Sequence, residues 1–345
     1  MSSEQSCCSC SCQGAASSNP CGVIPTDSTI SHSNRIDHIL ARWGYNRSGH
    51  LVTPGLYQLG SPDQDSPIFA SANYTLSFDA LRSALEGING YILVLDTKGI
   101  NVWCAAGKGT FGTDELVLRI ESSDLSSVVS HRKIIVPQLG APGVSAQEVQ
   151  RRSGFRVEYG PVRAVDLPEY LRTGKVTPQM RMVKFPLHDR VILAPVELVY
   201  IALKAAIVAI ILWFMAGQVA SLAAITAVLT GTVLFPALLP YLPTKDFSTK
   251  GLILGFIVAI PFSYLYALTP GLPGWAAGAG ALVPLLIIPA VVAFMALNFT
   301  GSTTFTSRTG VKKEIFRYVP IMAGMAVLGI IIGIVLGACR LMGMI

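Results

Sequence analysis

Residues 191–345 contain five apolar runs, at about 195–216, 219–240, 251–269, 275–298 and 319–339. Each supplies roughly the 20 residues that a helix needs to cross the hydrocarbon of a bilayer. With no water at that depth, a spanning segment must satisfy its own N–H and C=O groups, which leaves the helix as the available form. The rest of the chain must be compatible with a bundle of five such helices. The whole sequence is 51% hydrophobic and 13% charged, against about 25% charged in an ordinary soluble domain. Most of the charge lies before residue 190, where the composition is that of a soluble domain.

The connections between the runs carry an orientation signal. The second linker holds Lys245 and Lys250, and the fourth holds Arg308, Lys312, Lys313 and Arg317. The first and third linkers hold no basic residue. Lys and Arg mark the side on which loops remain during insertion. A multi-pass protein of the cytoplasmic membrane follows, with the N-terminal half and the even linkers in the cytoplasm and the C-terminus outside. Gly329, Gly333 and Gly337 recur at four-residue spacing, and Gly274 and Gly278 open the fourth run. Such spacing predicts close helix–helix packing. Glu197 and Lys204 lie near the cytoplasmic end of the first run, where they can snorkel to the headgroups.

Three segments are expected: a cysteine-rich tail over 1–32, a cytoplasmic domain over 33–185, and the membrane domain over 190–345. Cys7, Cys8, Cys10, Cys12 and Cys21 crowd the tail. Their spacing is neither a zinc knuckle nor an iron–sulfur motif, although close thiols can capture a soft ion such as Hg(II). An odd total of seven cysteines does not read as a disulfide framework. The start also lacks the basic and apolar regions of a signal peptide, so a reducing compartment is expected.

Residues 33–185 alternate between helical and strand patterns. Helices are expected at 36–43, 77–87, Thr113–Ser122, 145–152 and 166–172. Strands are expected at 67–70, 91–96, 100–103, Lys133–Val136 and 155–158. This alternation predicts a Rossmann-like α/β domain with a mostly parallel sheet. Ligands on such folds sit at loops after the carboxyl ends of strands. Two loops qualify, one at 104–110 and one at 137–143. The first begins with Cys104. A thiol near a helix N-terminus, with Lys108 one turn on, is biased towards the thiolate, the form that binds metals and attacks electrophiles. The alternative is a buried cysteine packed beside Trp103.

Several chemistries are excluded. Gly107-Lys108-Gly109-Thr110 is not a phosphate loop, because Val102 stands where the first glycine belongs and Gly109 follows the lysine. There is no G-x-S-x-G, H-E-x-x-H or strand-borne G-x-G-x-x-G. His32, His38, His50, His131 and His188 show no metal-ligand spacing. The net charge of +6, without basic runs carrying interleaved aromatics, argues against a nucleic-acid partner.

The run Asn101-Val102-Trp103-Cys104-Ala105-Ala106-Gly107-Lys108 resembles the signature of the mercury-methylating corrinoid protein family. The likeness extends over Thr53-Pro54-Gly55-Leu56-Tyr57, over residues 72–82, and over Val136-Pro137-Gln138-Leu139-Gly140-Ala141-Pro142-Gly143. The last three segments also resemble the corrinoid-binding domain of the corrinoid iron–sulfur protein large subunit, a methyl carrier of acetyl-CoA synthesis. Joining such a domain to five spans is the family's arrangement. The resemblance implies a cobalamin-like corrinoid, bound base-off, with Cys104 as the lower axial ligand of cobalt. Asn101, Val102, Trp103, Ala105, Ala106, Gly107, Lys108 and Thr110 would form a cap beneath it. Gln138, Leu139, Gly140, Ala141 and Gly143 would lie against the corrin.

A thiolate below cobalt would push electron density towards a methyl group above it. That implies methyl transfer to Hg(II) as a carbanion-like group or as a radical. The implied partners are a ferredoxin-like iron–sulfur electron donor, a methyl-tetrahydrofolate-linked methyl donor, Hg(II) and membrane lipid. Two other functions are compatible with the residues: a corrinoid methyl carrier for another acceptor in one-carbon metabolism, and a thiol-based metal transporter using the tail and the spans.

Overall fold

The computed structural model describes residues 22–46, 48–303 and 305–345. They form two compact units. One comprises His50–Arg181 with the described residues before His32, and the other comprises His32–Gly49 with Met182–Ile345.

The first unit is built on six strands: β1 (Ile24–Thr26), β2 (Gly55–Leu59), β3 (Ile68–Ala72), β4 (Gly90–Leu95), β5 (Lys133–Val136) and β6 (Arg156–Tyr159). Their order in the sheet is β1-β2-β4-β3-β5-β6. All neighbours pair in parallel except β2 with β4. β3 and β4 are buried at every position, as strands covered on both faces must be. Side chains alternate along β4. Tyr91, Leu93 and Leu95 join one core, and Ile92 and Val94 join the other.

Helices α2 (Thr75–Ala84), α3 (Val102–Lys108), α4 (Thr113–Ser122), α5 (Leu125–Val128), α6 (Ala146–Ser153) and α7 (Leu167–Thr173) cover the faces. Leu116, Val117, Ile120 and Val149 pack into the first core, and Phe78, Leu81 and Tyr170 into the second. The expected mostly parallel α/β sheet is therefore present. The chain passes from β3 to β4, then returns across β3 to β5. Winding reverses between β3 and β5, and the loops beyond their carboxyl ends flank the crevice where such sheets bind ligands.

Three local features depart from the sequence reading. No strand forms at 100–103. Instead, Asn101 caps α3 by accepting the Cys104 N–H at 2.9 Å, and this local bond outweighs the β preference of Ile100, Val102 and Trp103. β2 was not anticipated, because Gly55 and Gln58 break its apolar pattern. Within the stretch read as a tail, Ile24–Thr26 is a strand registered against residues 57–59. Buried Arg82 fixes the following turn, donating from Nη1 to the Asp27 and Thr29 carbonyls at 2.7 Å each. Its Nε meets Asp79 at 2.6 Å.

The second unit holds α1 (His32–Arg42), α8 (Leu187–Val191), α9 (Ala194–Ala216), α10 (Gln218–Leu229), α11 (Phe235–Leu238), α12 (Phe247–Ala267), α13 (Gly274–Phe299) and α14 (Arg308–Leu341). Five helical segments among the described residues are long and apolar enough to cross a membrane: Leu187–Ala216, Gln218–Leu238, Phe247–Ala267, Gly274–Ser302 and Thr309–Leu341. The second contains a π-helical stretch, Thr230–Leu234, ahead of Pro236. Arg190 donates to the Pro236 and Ala237 carbonyls at 3.0 and 2.7 Å.

Close helix packing occurs at positions other than most of those expected. A Cβ on Gly251 would lie 2.6 Å from the Ala293 Cα, and one on Gly255 would strike Pro289. With Ala259 these form a small-residue stripe at four-residue spacing that lets α12 lie against α13. Gly329 is also packed, against Ile287 and Leu286, whereas Gly333, Gly337, Gly274 and Gly278 face open space.

Candidate functional site

The site grows from the carboxyl ends of β3 and β4. Asn73 follows β3, and its buried side-chain oxygen accepts from the Thr97 N–H at 3.0 Å, the Thr97 hydroxyl at 2.8 Å and the Gly99 N–H at 3.1 Å. Its amide donates to Asp96 Oδ1 at 3.2 Å. The Asp96 N–H donates to Glu115 Oε1 at 2.7 Å, and the same oxygen meets Arg119 Nε at 2.6 Å. The Thr97 hydroxyl also reaches the Ile100 carbonyl at 2.7 Å. These bonds fix the short loop after β4, so α3 starts at a defined place. They satisfy backbone groups that burial would otherwise leave unpaired.

Cys104 sits in the first turn of α3 and is half-buried. Its N–H is taken by Asn101, so the cap orders the turn that carries the thiol. Val102 and Trp103 are half-buried, while Asn101, Gly107 and Lys108 are exposed. Lys108 stands four residues after Cys104 on a helix, so both belong to one face. Ala105 and Ala106 point into the core beside Phe111. They provide the small backing that lets α3 lie close, while the exposed face is left to its neighbours. The helix ends at Gly109, whose φ of 87° closes it with bonds to the Ala105 and Ala106 carbonyls. Thr110 is half-buried, with its N–H on the Ala105 carbonyl at 3.0 Å.

The second predicted loop lies beside the first. The Thr113 N–H donates to the Gly143 carbonyl at 3.1 Å, and the Ser145 N–H donates to the Thr113 hydroxyl at 2.9 Å. A Cβ on Gly143 would strike the Phe111 carbonyl oxygen and lie 3.0 Å from the Ala106 Cα. A Cβ on Gly140, which is buried, would come within 2.6 Å of the Phe111 ring. These glycines are needed so that the loop after β5 can press against α3 and the turn after it. Gln138, Leu139 and Ala141 are half-buried on that loop. Gln138 Oε1 accepts from Arg181 Nη1 at 2.6 Å.

The sequence reading missed Arg181, Asn73 and Glu115. The 72–82 stretch containing Asn73 was singled out without this role, and neither Arg181 nor Glu115 lies in a recognisable motif. In the other quoted segment, burial pushes the Tyr57 phenol above its ordinary pKa. It therefore stays protonated and donates to the Thr53 carbonyl at 2.9 Å. Cys7, Cys8, Cys10, Cys12 and Cys21 lie outside the described residues.

Among the described residues, no group of three or more His, Cys, Asp or Glu side chains could hold a metal ion. Cys104, a half-buried soft donor on α3 backed by Ala105 and Ala106 and flanked by the loop after β5, fits one face of a metal held in a flat macrocycle.

The family model for the CO dehydrogenase/acetyl-CoA synthase delta subunit matches residues 44–171. That stretch contains α3 and both loops. The acetyl-CoA decarbonylase/synthase complex subunit gamma of Methanopyrus kandleri is 33% identical over 127 residues, covering 36% of this chain and 27% of the relative. The subunit gamma of Archaeoglobus fulgidus is 32% identical over 113 residues, covering 32% and 24%. Subunit gamma 2 of Methanosarcina thermophila is 33% identical over 126 residues, covering 35% and 26%. The chain thus spans about a quarter of the length of these relatives. The fold and the match define the class of the first unit, an α/β domain similar to these delta and gamma subunits. They support the resemblance to corrinoid methyl-carrier proteins. The membrane-length helices lie beyond the matched stretch.

Proposed function

We propose that the protein is a membrane-anchored, corrinoid-dependent methyltransferase that passes a methyl group to Hg(II), forming methylmercury. The observation that carries the cofactor assignment is the placement of Cys104, a half-buried thiol on the Asn101-capped first turn of α3, beside the glycine loop that follows β5. The signature at 101–108 supports mercury as the acceptor.

Each residue of the site has a part. Cys104 would hold the cofactor's metal through its sulfur, and Asn101 holds the turn that presents it. Lys108, exposed one turn further along α3, places a positive charge on the face that carries the thiol. Half-buried Val102 and Trp103 would exclude water from the bound cofactor, and Ala105, Ala106 and Gly107 would let the helix backbone lie close to it. Thr110, Gln138, Leu139, Gly140, Ala141 and Gly143 shape the adjoining wall, with Gln138 steadied by Arg181. When bound, the corrinoid supplies a transferable methyl group whose electron density the thiolate increases. A ferredoxin-like partner and a methyl-tetrahydrofolate-linked donor restore the cofactor between turnovers. The five apolar helices anchor the domain in the cytoplasmic membrane. The basic second and fourth linkers support cytoplasmic placement of the site and an external C-terminus.

A second reading is favoured by the relatives' names: a methyl carrier for another acceptor in one-carbon metabolism. An acceptor assay on anaerobically prepared full-length protein separates the two. Methylmercury formed from Hg(II), and lost in Cys104→Ala, supports the proposal. Transfer to thiols or to acetyl-CoA synthase components, with Hg(II) inert, supports the carrier.

The tail cysteines would capture Hg(II) and pass it on by thiolate exchange. Deleting residues 1–22 is expected to lower the methylation rate at limiting Hg(II) and leave corrinoid binding intact. An unchanged rate would remove that role.

A further inference from the structure

Helix α1 (His32–Arg42) belongs to the unit that holds the membrane-length helices, yet its amphipathic pattern is turned outward. Ile36, Ile39, Leu40 and Trp43 fall at i, i+3, i+4 and i+7, the spacing of one helix face. All four are exposed, at 47%, 56%, 37% and 56%. The polar Asn34, Asp37 and His38 are the less exposed side chains, and Ala41 is the buried one. A surface helix in water normally has the opposite arrangement, with its apolar stripe on the core.

The neighbours of Trp43 indicate what covers this stripe. Trp43 borders an apolar groove lined by Val191, Ala194, Pro195, Leu198 and Val199, at the start of the first membrane-length segment. That segment then carries the features of a headgroup level. Tyr200 is 74% exposed, and Lys204 lies 4.6 Å over its ring. Beyond it, Ile207, Ile210, Ile211 and Phe214 form an exposed apolar surface. Trp43, at the end of the outward face of α1, thus adjoins the start of the surface expected to face lipid. Trp43 and Tyr45 are the residue types that gather at membrane interfaces, and exposed Arg35 and Arg42 suit the phosphate layer.

We propose that α1 lies in the plane of the membrane interface, with Ile36, Ile39, Leu40 and Trp43 immersed at the acyl boundary. This inference rests on the membrane-spanning reading above. It adds a second attachment, because the chain leaves the α/β unit at residue 31, runs through α1, and re-enters that unit at residue 50.

The test uses the full chain in vesicles of zwitterionic and anionic lipid, with bromine placed either near the headgroup end or near the methyl end of the acyl chains. Tryptophan fluorescence is compared between the unaltered protein and Trp43→Phe. The difference spectrum isolates Trp43, and Trp213 and Trp275 in the membrane-length helices act as internal controls. The expected result is a blue-shifted Trp43 component, quenched more by shallow than by deep bromines. Paired Ile36→Glu and Ile39→Glu substitutions, with Trp43 retained, should abolish that quenching while quenching of the span tryptophans persists.

A water-exposed, unquenched Trp43 component alongside quenched span tryptophans overturns the inference alone. A blue-shifted but unquenched component that depends on the protein-to-lipid ratio assigns the face to a second copy and also overturns it. Loss of quenching at every tryptophan overturns the membrane-spanning reading together with this inference.

Discussion

At the residue scale, Asn101 and Asn73 arrange what Cys104 does. Asn101 occupies a cap position, and replacing such a side chain with alanine costs about 1 kcal/mol. Asn101→Ala should lower the unfolding free energy by that order and loosen the turn that presents the thiol, while Asn101→Asp should recover most of the loss. Chemical denaturation of the α/β domain measures both. Asn73→Ala leaves the buried Thr97 N–H and the half-buried Gly99 N–H without their acceptor, which costs roughly 1–3 kcal/mol for an orphaned buried group. It should also weaken corrinoid retention, although Asn73 is placed two loops away from the thiol in sequence.

The identity of Cys104 as the placed thiol was legible from its motif and from the apolar run before it. The bonds that hold it were not, because Asn73 and Glu115 are ordinary polar residues until the sheet brings them to the loop after β4.

Among the elements, periodicity identified α4 and β5 at their observed limits and most of the other α/β elements approximately. It failed where a local bond or a distant partner decided the outcome. The 100–103 run has strand-like residues, but a short apolar run cannot be separated from a helix start by pattern alone. In β2 and β1 the pairing partner decides the structure. Glycine spacing in the membrane half was a poor guide to contact, since spacing identifies a helix face but does not identify what that face meets. The difference is measurable. Gly255→Ala should destabilise the α12–α13 packing, because the added Cβ meets the Pro289 backbone. Gly333→Ala, in open space, should leave thermal stability in detergent nearly unchanged, within about 0.5 kcal/mol. In the α/β unit, Gly143→Ala drives a Cβ into the Phe111 carbonyl. A backbone obstacle of that kind should cost about 1–3 kcal/mol or more and separate the two site loops.

For the whole molecule, the division into an α/β unit and a unit of membrane-length helices follows from where the charge lies. One part of that division was not visible. Helix α1 belongs with the membrane-length unit, even though it lies between β1 and β2 of the α/β sheet and reads in the sequence as a short helix of that domain. At the other end, α14 is longer than its apolar run. At about 1.5 Å per residue, its 34 residues exceed the roughly 30 Å of bilayer hydrocarbon. Its first turns carry Lys312, Lys313 and Arg317. There Glu314, buried, accepts from the Ser248 N–H at 3.0 Å and the Ser248 hydroxyl at 2.9 Å. Glu314 thereby ties α14 to the start of α12, and Glu314→Ala should lower the thermal midpoint of the detergent-solubilised protein, whereas Glu314→Gln should retain part of the contact.

The central claim is that the thiolate of Cys104 ligates a corrinoid cobalt. Cobalt-edge X-ray absorption on the anaerobically reconstituted full-length protein tests it most directly. The account predicts a sulfur neighbour in the first cobalt shell, replaced by nitrogen or oxygen in Cys104→Ala that still folds. A first shell without sulfur in the unaltered protein, or one that keeps its sulfur after the substitution, would contradict it.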